Sequence, residues 1–436
     1  MTRDLAPARP EDVGLSAAGL AAVDAAVQGQ IDRGELAGAV TLVARHGKLV
    51  HFNALGLKDI ATGEAMATDT LFRIYSMTKP VTAVAMMILY DRGLWAPDDP
   101  IAKHLPEFEG VRVFAGLDEN GQARTVAADH APTLRELMTH TAGLRYGFDP
   151  NDPLDKLYKD AHLWRSASLE EMAGKLAALP LSYQPGTQWL YSLAMDMQGA
   201  MIERLTGQSL PDFMREHLFE PLGMVDTAFH LPPEKRPRLA TGYRQSRSGL
   251  KVETPLLFDH ETPPSLASGG GGLISSAMDY ARFAQMLLNK GELGGRRIIS
   301  EAAARLMMTN QLSEAMMAAG FGVGAQAIRP GFGYGYNGVV FTDPAACGIP
   351  VGKGTYHWDG AWGTWFWVDH ENDLIYVGLI QRGMSFSPNL QALTQTLMAD
   401  AMFARRRRLR VSAPHPTEGW GRGTTKWWRG LAAARA

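Results

Sequence analysis

Strand-like alternation confined to the two ends of the chain, with helical periodicity between them, constrains the fold most. β-branched, alternating runs at 39–44 and 49–55 are joined by His46-Gly47 and read as a hairpin. A second hairpin comes some 300 residues later, with Phe366-Trp367-Val368 and residues 374–380 turned at Glu371-Asn372. Helical signals flank both. Ser16 is placed to cap a helix in which Leu20, Val23, Val27 and Ile31 recur until Gly34. Ser276 and Asp279 are placed to cap another, with Tyr280, Phe283, Met286 and Leu287 on its apolar face. A last amphipathic helix carries Leu390, Leu393 and Leu397. An apolar helix spans 76–90, and residues 94–264 form a Pro-punctuated series of short helices. At 436 residues the chain exceeds what one hydrophobic core usually serves. The expected architecture is α/β (α+β type): an antiparallel sheet flanked by helices, with a helical insert domain. Residues 12–90 and 265–404 would form one discontinuous α/β domain and residues 91–264 the insert.

Charge and cysteine content narrow the function classes. The chain carries 43 Lys and Arg against 45 Asp and Glu, a net −2, so no nucleic-acid partner is expected. That total hides an asymmetry. Residues 405–436 hold eight Arg and one Lys against one Glu, a net +8, which leaves −10 for residues 1–404. This basic tail lacks periodicity and reads as a flexible or surface-docked appendage, with Trp427-Trp428 offering peripheral contact to a membrane surface or a partner. No run reaches the roughly 18–20 apolar residues of a membrane span. The opening residues, Met1-Thr2-Arg3-Asp4-Leu5-Ala6-Pro7, lack the apolar stretch of a signal peptide. A single cysteine, Cys347 in an expected loop, suits a reducing compartment, and the expectation is a cytoplasmic protein. The sequence says nothing about oligomeric state.

The chemistry-bearing segment is Tyr75-Ser76-Met77-Thr78-Lys79-Pro80, heading the apolar helix. Pro80 is tolerated only near a helix start, so Ser76 should sit in or just before the first turn. Positions i and i+3 share a helix face, which sets the Ser76 hydroxyl beside the Lys79 amine. A desolvated, neutral amine can take the proton of an otherwise weak serine nucleophile. Alone, four-residue S-x-x-K patterns recur by chance, and a capping serine with a surface lysine is the commoner explanation.

Three further stretches alter that balance. Trp189-Leu190-Tyr191-Ser192-Leu193 follows Tyr183-Gln184-Pro185-Gly186, and His357-Trp358-Asp359-Gly360-Ala361-Trp362-Gly363 comes near the end. In order and spacing, with Ser76 and Lys79, these resemble the three signatures of the class C β-lactamase and penicillin-binding superfamily. They are most similar to the family VIII carboxylesterases. Supporting stretches are Leu137-Met138-Thr139-His140-Thr141-Ala142-Gly143-Leu144, Glu220-Pro221-Leu222-Gly223-Met224 and the four glycines at 269–272. The resemblance covers roughly residues 12 to 400 and implies a β-lactamase/transpeptidase-like fold acting on a small-molecule ester without cofactor or metal. It implies Ser76 as nucleophile, Lys79 and Tyr191 as proton-handling partners, and the backbone N–H groups of Ser76 and Ala361 as the oxyanion hole. A tyrosine ionises near pH 10, and a positive Lys79 beside it is expected to favour its phenolate.

Departures from the β-lactamase pattern bear on substrate. Leu193 stands where those enzymes carry Asn, and Trp358-Asp359-Gly360 where they carry Lys-Thr-Gly. Trp358, Asp359, Gly360 and Leu193 are therefore the candidate substrate-binding positions, and an uncharged, short-chain ester suits them better than an anionic lactam. An acyltransferase, a β-lactamase, a D-amino-acid peptidase and a catalytically silent binding protein on the same scaffold remain alternatives. Gly333-Tyr334-Gly335-Tyr336-Asn337-Gly338 matches a dinucleotide-binding pattern, but β residues follow it and it reads as a turn. His140 reads as a hydrogen-bonded structural residue.

Overall fold

The computed structural model describes residues 5–253, 258, 260–323, 326–328, 330–383 and 390–402. The basic tail at 405–436, with Trp427 and Trp428, lies outside the described residues. Eight strands form the path of the central sheet: β1 (Ala6–Pro7), β2 (Gly38–Arg45), β3 (Lys48–Asp59), β4 (Phe332–Tyr334), β5 (Val339–Phe341), β6 (Tyr356–Gly360), β7 (Thr364–Asp369) and β8 (Leu374–Leu379). Their order across the sheet is β1-β3-β2-β8-β7-β6-β5-β4, and Glu64–Ala65 pairs off β3 as a ninth strand. Only β1 runs parallel to its neighbour; every other pair is antiparallel. The two ends of the chain meet where β8 pairs with β2, Tyr376 opposite Val43.

Both hairpins expected at the chain ends are present. His46 and Gly47 turn the first at φ 53° and 69°, the positive values that fit the right-handed twist of the strands. Alternation along β7 divides its side chains between two cores. Trp365 and Trp367 face α1 (Ala17–Asp32), which Ser16 caps, while Phe366 and Val368 join the larger core on the other face. Trp367 stacks on Tyr376 with ring centroids 4.2 Å apart. The larger core also receives α2 (Thr78–Asp91), α3 (Ala194–Thr206) and α4 (Ala277–Leu288). Ser276 caps α4, and its Tyr280 and Phe283 meet Phe366 edge-on.

The last helix, α5 (Leu390–Ala401), lies on the α1 face, with a different stripe from the one expected. Leu393 is exposed and Leu397 half-buried, whereas Leu390, Thr394, Met398 and Ala401 are buried. Thr394 tolerates burial because its hydroxyl donates to Leu390 O at 2.7 Å and accepts from Trp365 Nε1 at 3.3 Å. Within 91–264, two hairpins (Arg112–Leu117 with Ala123–Ala127, and Tyr243–Ser246 with Gly249–Val252) accompany the expected short helices. Cys347 does not lie in a loop. It ends a one-turn helix, Pro344–Cys347, started by Asp343, and is buried. The glycine pattern at 333–338 begins in β4 and runs through the β4–β5 turn, with Asn337 at φ 56°. No helix among the described residues is long and apolar enough to cross a membrane.

Candidate active site

Ser76 occupies a single 3-10 turn, Tyr75–Met77, between the short strand Leu71–Arg73 and α2. The turn is pinned on several sides. Leu71–Arg73 pairs with Ile274–Ser276, Ile74 N donates to Leu273 O at 3.1 Å, and Tyr280 Oη donates to Met77 O at 2.8 Å. Thr364 Oγ1 donates to Ile74 O at 3.2 Å. Gly360 presses on the same carbonyl, where a Cβ would come within 2.3 Å of the oxygen, so no larger residue fits. Tyr75 adopts φ 44°, a left-handed conformation rare for an aromatic residue. Its ring is clamped by stacking on Trp362 at 5.7 Å and a tilted contact with Phe258 at 6.2 Å. The turn carrying Ala361 therefore lies against the turn carrying Ser76.

Every residue of α2 from Thr78 to Leu89 is buried. Lys79, 1% exposed, has no path to solvent and turns its amine onto polar atoms of the site. Its Nζ donates to Ser76 Oγ at 3.2 Å and to Gly270 O at 2.6 Å, and lies 4.5 Å from the Tyr191 ring centre. Burial pulls its pKa down to about 7, with Asp196 and Asp359 opposing the shift. The amine is thus substantially neutral just above pH 7. Asn337 fixes the backbone beneath it, donating from Nδ2 to Lys79 O at 2.9 Å and pairing with Gln198.

Tyr191 lies just ahead of α3, and its Oη donates to Ser76 Oγ at 2.6 Å. The expectation of a favoured phenolate is corrected here. Burial pushes the Tyr191 pKa up, and the nearby charges of Asp359 and Asp196 add to the rise; the contact with Ser76 opposes it without reversing it. In a dry aromatic setting the loss of hydration outweighs any nearby cation. Tyr191 is therefore a hydroxyl donor in the resting site. His140, at φ 61°, packs 4.9 Å from the Tyr191 ring. Its Nδ1 accepts from Ser192 N at 3.2 Å and pairs with Ser192 Oγ, and burial drives its pKa well down, so the ring is neutral.

The other sequence-derived positions are more interior than a contact surface would be. Leu193 is fully buried at the start of α3. Trp358, 3% exposed, sits between Tyr191 and Tyr334, at 5.9 and 5.6 Å between ring centres. Asp359 is half-buried, and its charge reaches both Lys79 and Tyr191. Several participants carried no signal of their own in the sequence: Tyr75, Tyr146 (ring centre 5.6 Å from Lys79 Nζ), Asp196 and Asn337. The glycine run at 269–272, a supporting stretch of the resemblance, is the backbone segment that closes on α2 and α3.

Residues 23–397 match the model of the beta-lactamase family. The chain belongs to that family. Within it the chain is a family VIII carboxylesterase-type serine hydrolase, as its relatives indicate. Esterase EstB of Burkholderia gladioli is 35% identical over 421 residues, spanning 91% of this chain and 98% of that protein. Protein Rv1367c of Mycobacterium tuberculosis (strain ATCC 25618 / H37Rv) is 40% identical over 361 residues, 82% of this chain and 88% of that protein. Among solved structures, EstCE1, described as a hydrolase with promiscuous acyltransferase activity, superposes with a TM-score of 0.72 at 27% identity, covering 87% of this chain and 98% of its own. The beta-lactamase fold, a largely antiparallel sheet between helical layers, is the one described above.

Proposed function

We propose that the chain is a carboxylesterase that cleaves uncharged, short-chain esters through an acyl-enzyme on Ser76. The observation that carries this reading is the convergence of Lys79 Nζ and Tyr191 Oη on Ser76 Oγ, at 3.2 and 2.6 Å. Above about pH 7 the neutral Lys79 amine accepts the Ser76 proton as Oγ bonds to the ester carbonyl carbon. The carbonyl oxygen takes up negative charge opposite the backbone N–H groups of Ser76 and Ala361. As the carbonyl re-forms, the alcohol departs and receives its proton from Tyr191, which Lys79 re-protonates. Water then repeats the sequence on the acyl-enzyme and releases the acid.

Leu193 and Trp358 support an uncharged substrate: both are buried, Leu193 has no polar group, and the Trp358 indole brings an N–H but no positive charge to offset a carboxylate. An unpaired carboxylate in such a wall costs several kcal/mol, and each 1.4 kcal/mol is about tenfold. A short-chain aryl ester should therefore exceed a chromogenic cephalosporin by orders of magnitude in kcat/KM, with ring opening scored apart from loss of any ester side group. Lactam opening as fast as ester cleavage would overturn this reading of Leu193 and Trp358. Acyl transfer to an added alcohol is the second reading, favoured by the described activity of EstCE1. Products formed with the alcohol present separate the two.

A further inference from the structure

Asp196 is a fully buried carboxylate two residues into α3, and the sequence pattern gave it no role. Its Oδ1 accepts from Ser268 Oγ at 2.6 Å and from Gly270 N at 3.2 Å, while Gly270 N also reaches Ser268 Oγ at 3.2 Å. These bonds close a tight ring that folds residues 268–270 against α3. The approach is close: a Cβ on Gly269 would lie 2.4 Å from Met195 O. On the opposite side of the ring, Gly270 O is the oxygen that accepts from Lys79 Nζ at 2.6 Å. Oδ2 has a different standing. It is buried with no hydrogen-bond partner, close to Gly270 Cα, where a Cβ would lie 3.0 Å from it and 3.2 Å from Tyr146 Oη.

We infer that Asp196 is a positioning residue for the Lys79 amine: it fixes the carbonyl oxygen that holds the amine and supplies a negative charge behind it. This rests on the reading of Lys79 as base to Ser76. An unpartnered carboxylate oxygen is costly in a dry interior unless a cation faces it. Burial pushes the Asp196 pKa up, the bond from Ser268 and the Lys79 charge oppose that rise, and Asp196 is in turn the strongest charge acting to keep the Lys79 proton on. The remaining groups facing Lys79 are Asp359 on β6, Tyr191 before α3, and Tyr146 and His140 on the segment after residue 138. A purely structural clip would need only Oδ1, and an asparagine supplies that oxygen equally well. The charge is what separates the two roles.

The test follows the rate at which a fluorophosphonate probe labels Ser76 as a function of pH, in the full chain and in Asp196→Asn, Asp196→Ala and Ser268→Ala. Loss of the negative charge makes the Lys79 proton easier to remove. In Asp196→Asn the acid limb, near pH 7 in the parent, should move down by about one pH unit. The plateau should fall, because a less basic amine takes the serine proton less readily. Asp196→Ala, which also opens the ring, should lose labelling at every pH. Ser268→Ala removes a bond that favours the ionised carboxylate and should shift the limb the same way by less. It carries the test should Asp196→Asn fail to fold. Ser76 labelling with limbs superimposable on the parent would overturn the role of Asp196 alone. Labelling at a residue other than Ser76 would overturn the nucleophile, and this inference with it.

Discussion

At the scale of single residues, the site works by withholding water from two groups of opposite charge type. Burial lowers the Lys79 pKa to about 7 and raises that of Tyr191, so above about pH 7 both are uncharged and face one hydroxyl. That arrangement has a consequence for stability. The ordinary Lys79 value is 10.5, above its folded value, so the unfolded chain binds the proton more tightly. The penalty is fully present below about pH 7 and disappears as pH rises toward 10.5. The stability of Lys79→Met relative to the parent should therefore fall by on the order of a few kcal/mol between pH 6 and pH 10, as the parent sheds its buried-ammonium penalty. Denaturant unfolding at the two pH values checks it; a difference independent of pH would contradict a buried, destabilised ammonium. Ser76, Lys79 and Tyr191 were legible in the sequence because their order and spacing form a pattern. Tyr75, Asp196 and Asn337 were not. Each acts through a backbone angle or a contact between segments distant along the chain, such as Asn337 with the Lys79 carbonyl, and such contacts leave no local spacing.

At the scale of elements, the strands and caps were the most readable features. Ser16 and Ser276 each accept from a backbone N–H three residues on, and the His46-Gly47 turn takes the positive angles its residues favour. The terminal helix was misread at one position. Apolar spacing in residues 390–401 is satisfied by two stripes, and the one through Leu393 competes with the one through Thr394 and Met398. The second faces the sheet because the Thr394 hydroxyl pairs with Leu390 O and with the Trp365 indole. Leu390→Ala should cost about 2–5 kcal/mol of stability, whereas Leu393→Lys should stay within about 0.5 kcal/mol of the parent. Equal losses in chemical denaturation would mean that α5 is rotated from the orientation described. The two hairpins within 91–264 escaped notice for a related reason. Both have exposed faces, so the Arg112–Leu117 and Ala123–Ala127 strands lack the apolar alternation that marks a half-buried sheet.

At the scale of the whole molecule, chain ends that meet in one sheet place the Ser76 turn between β6 and the glycine run, with Tyr191 brought in from the helical middle. All the groups proposed for chemistry lie between residues 75 and 364. The basic tail therefore has no assigned part in ester cleavage, and a chain ending at residue 404 should hydrolyse a soluble short-chain ester within a few-fold of the full-length rate. Loss of all turnover in a folded, soluble truncation would give the tail a role in closing the site or joining subunits. The most direct measurement of the central claim is the mass of the intact protein after reaction with a fluorophosphonate, followed by peptide mapping, alongside ester turnover by Ser76→Ala. A single adduct on Ser76, absent from the alanine variant, together with a fall in turnover of about 10⁴-fold or more, is the predicted result. An adduct elsewhere, or an alanine variant that keeps a tenth of the parent's activity, would contradict it.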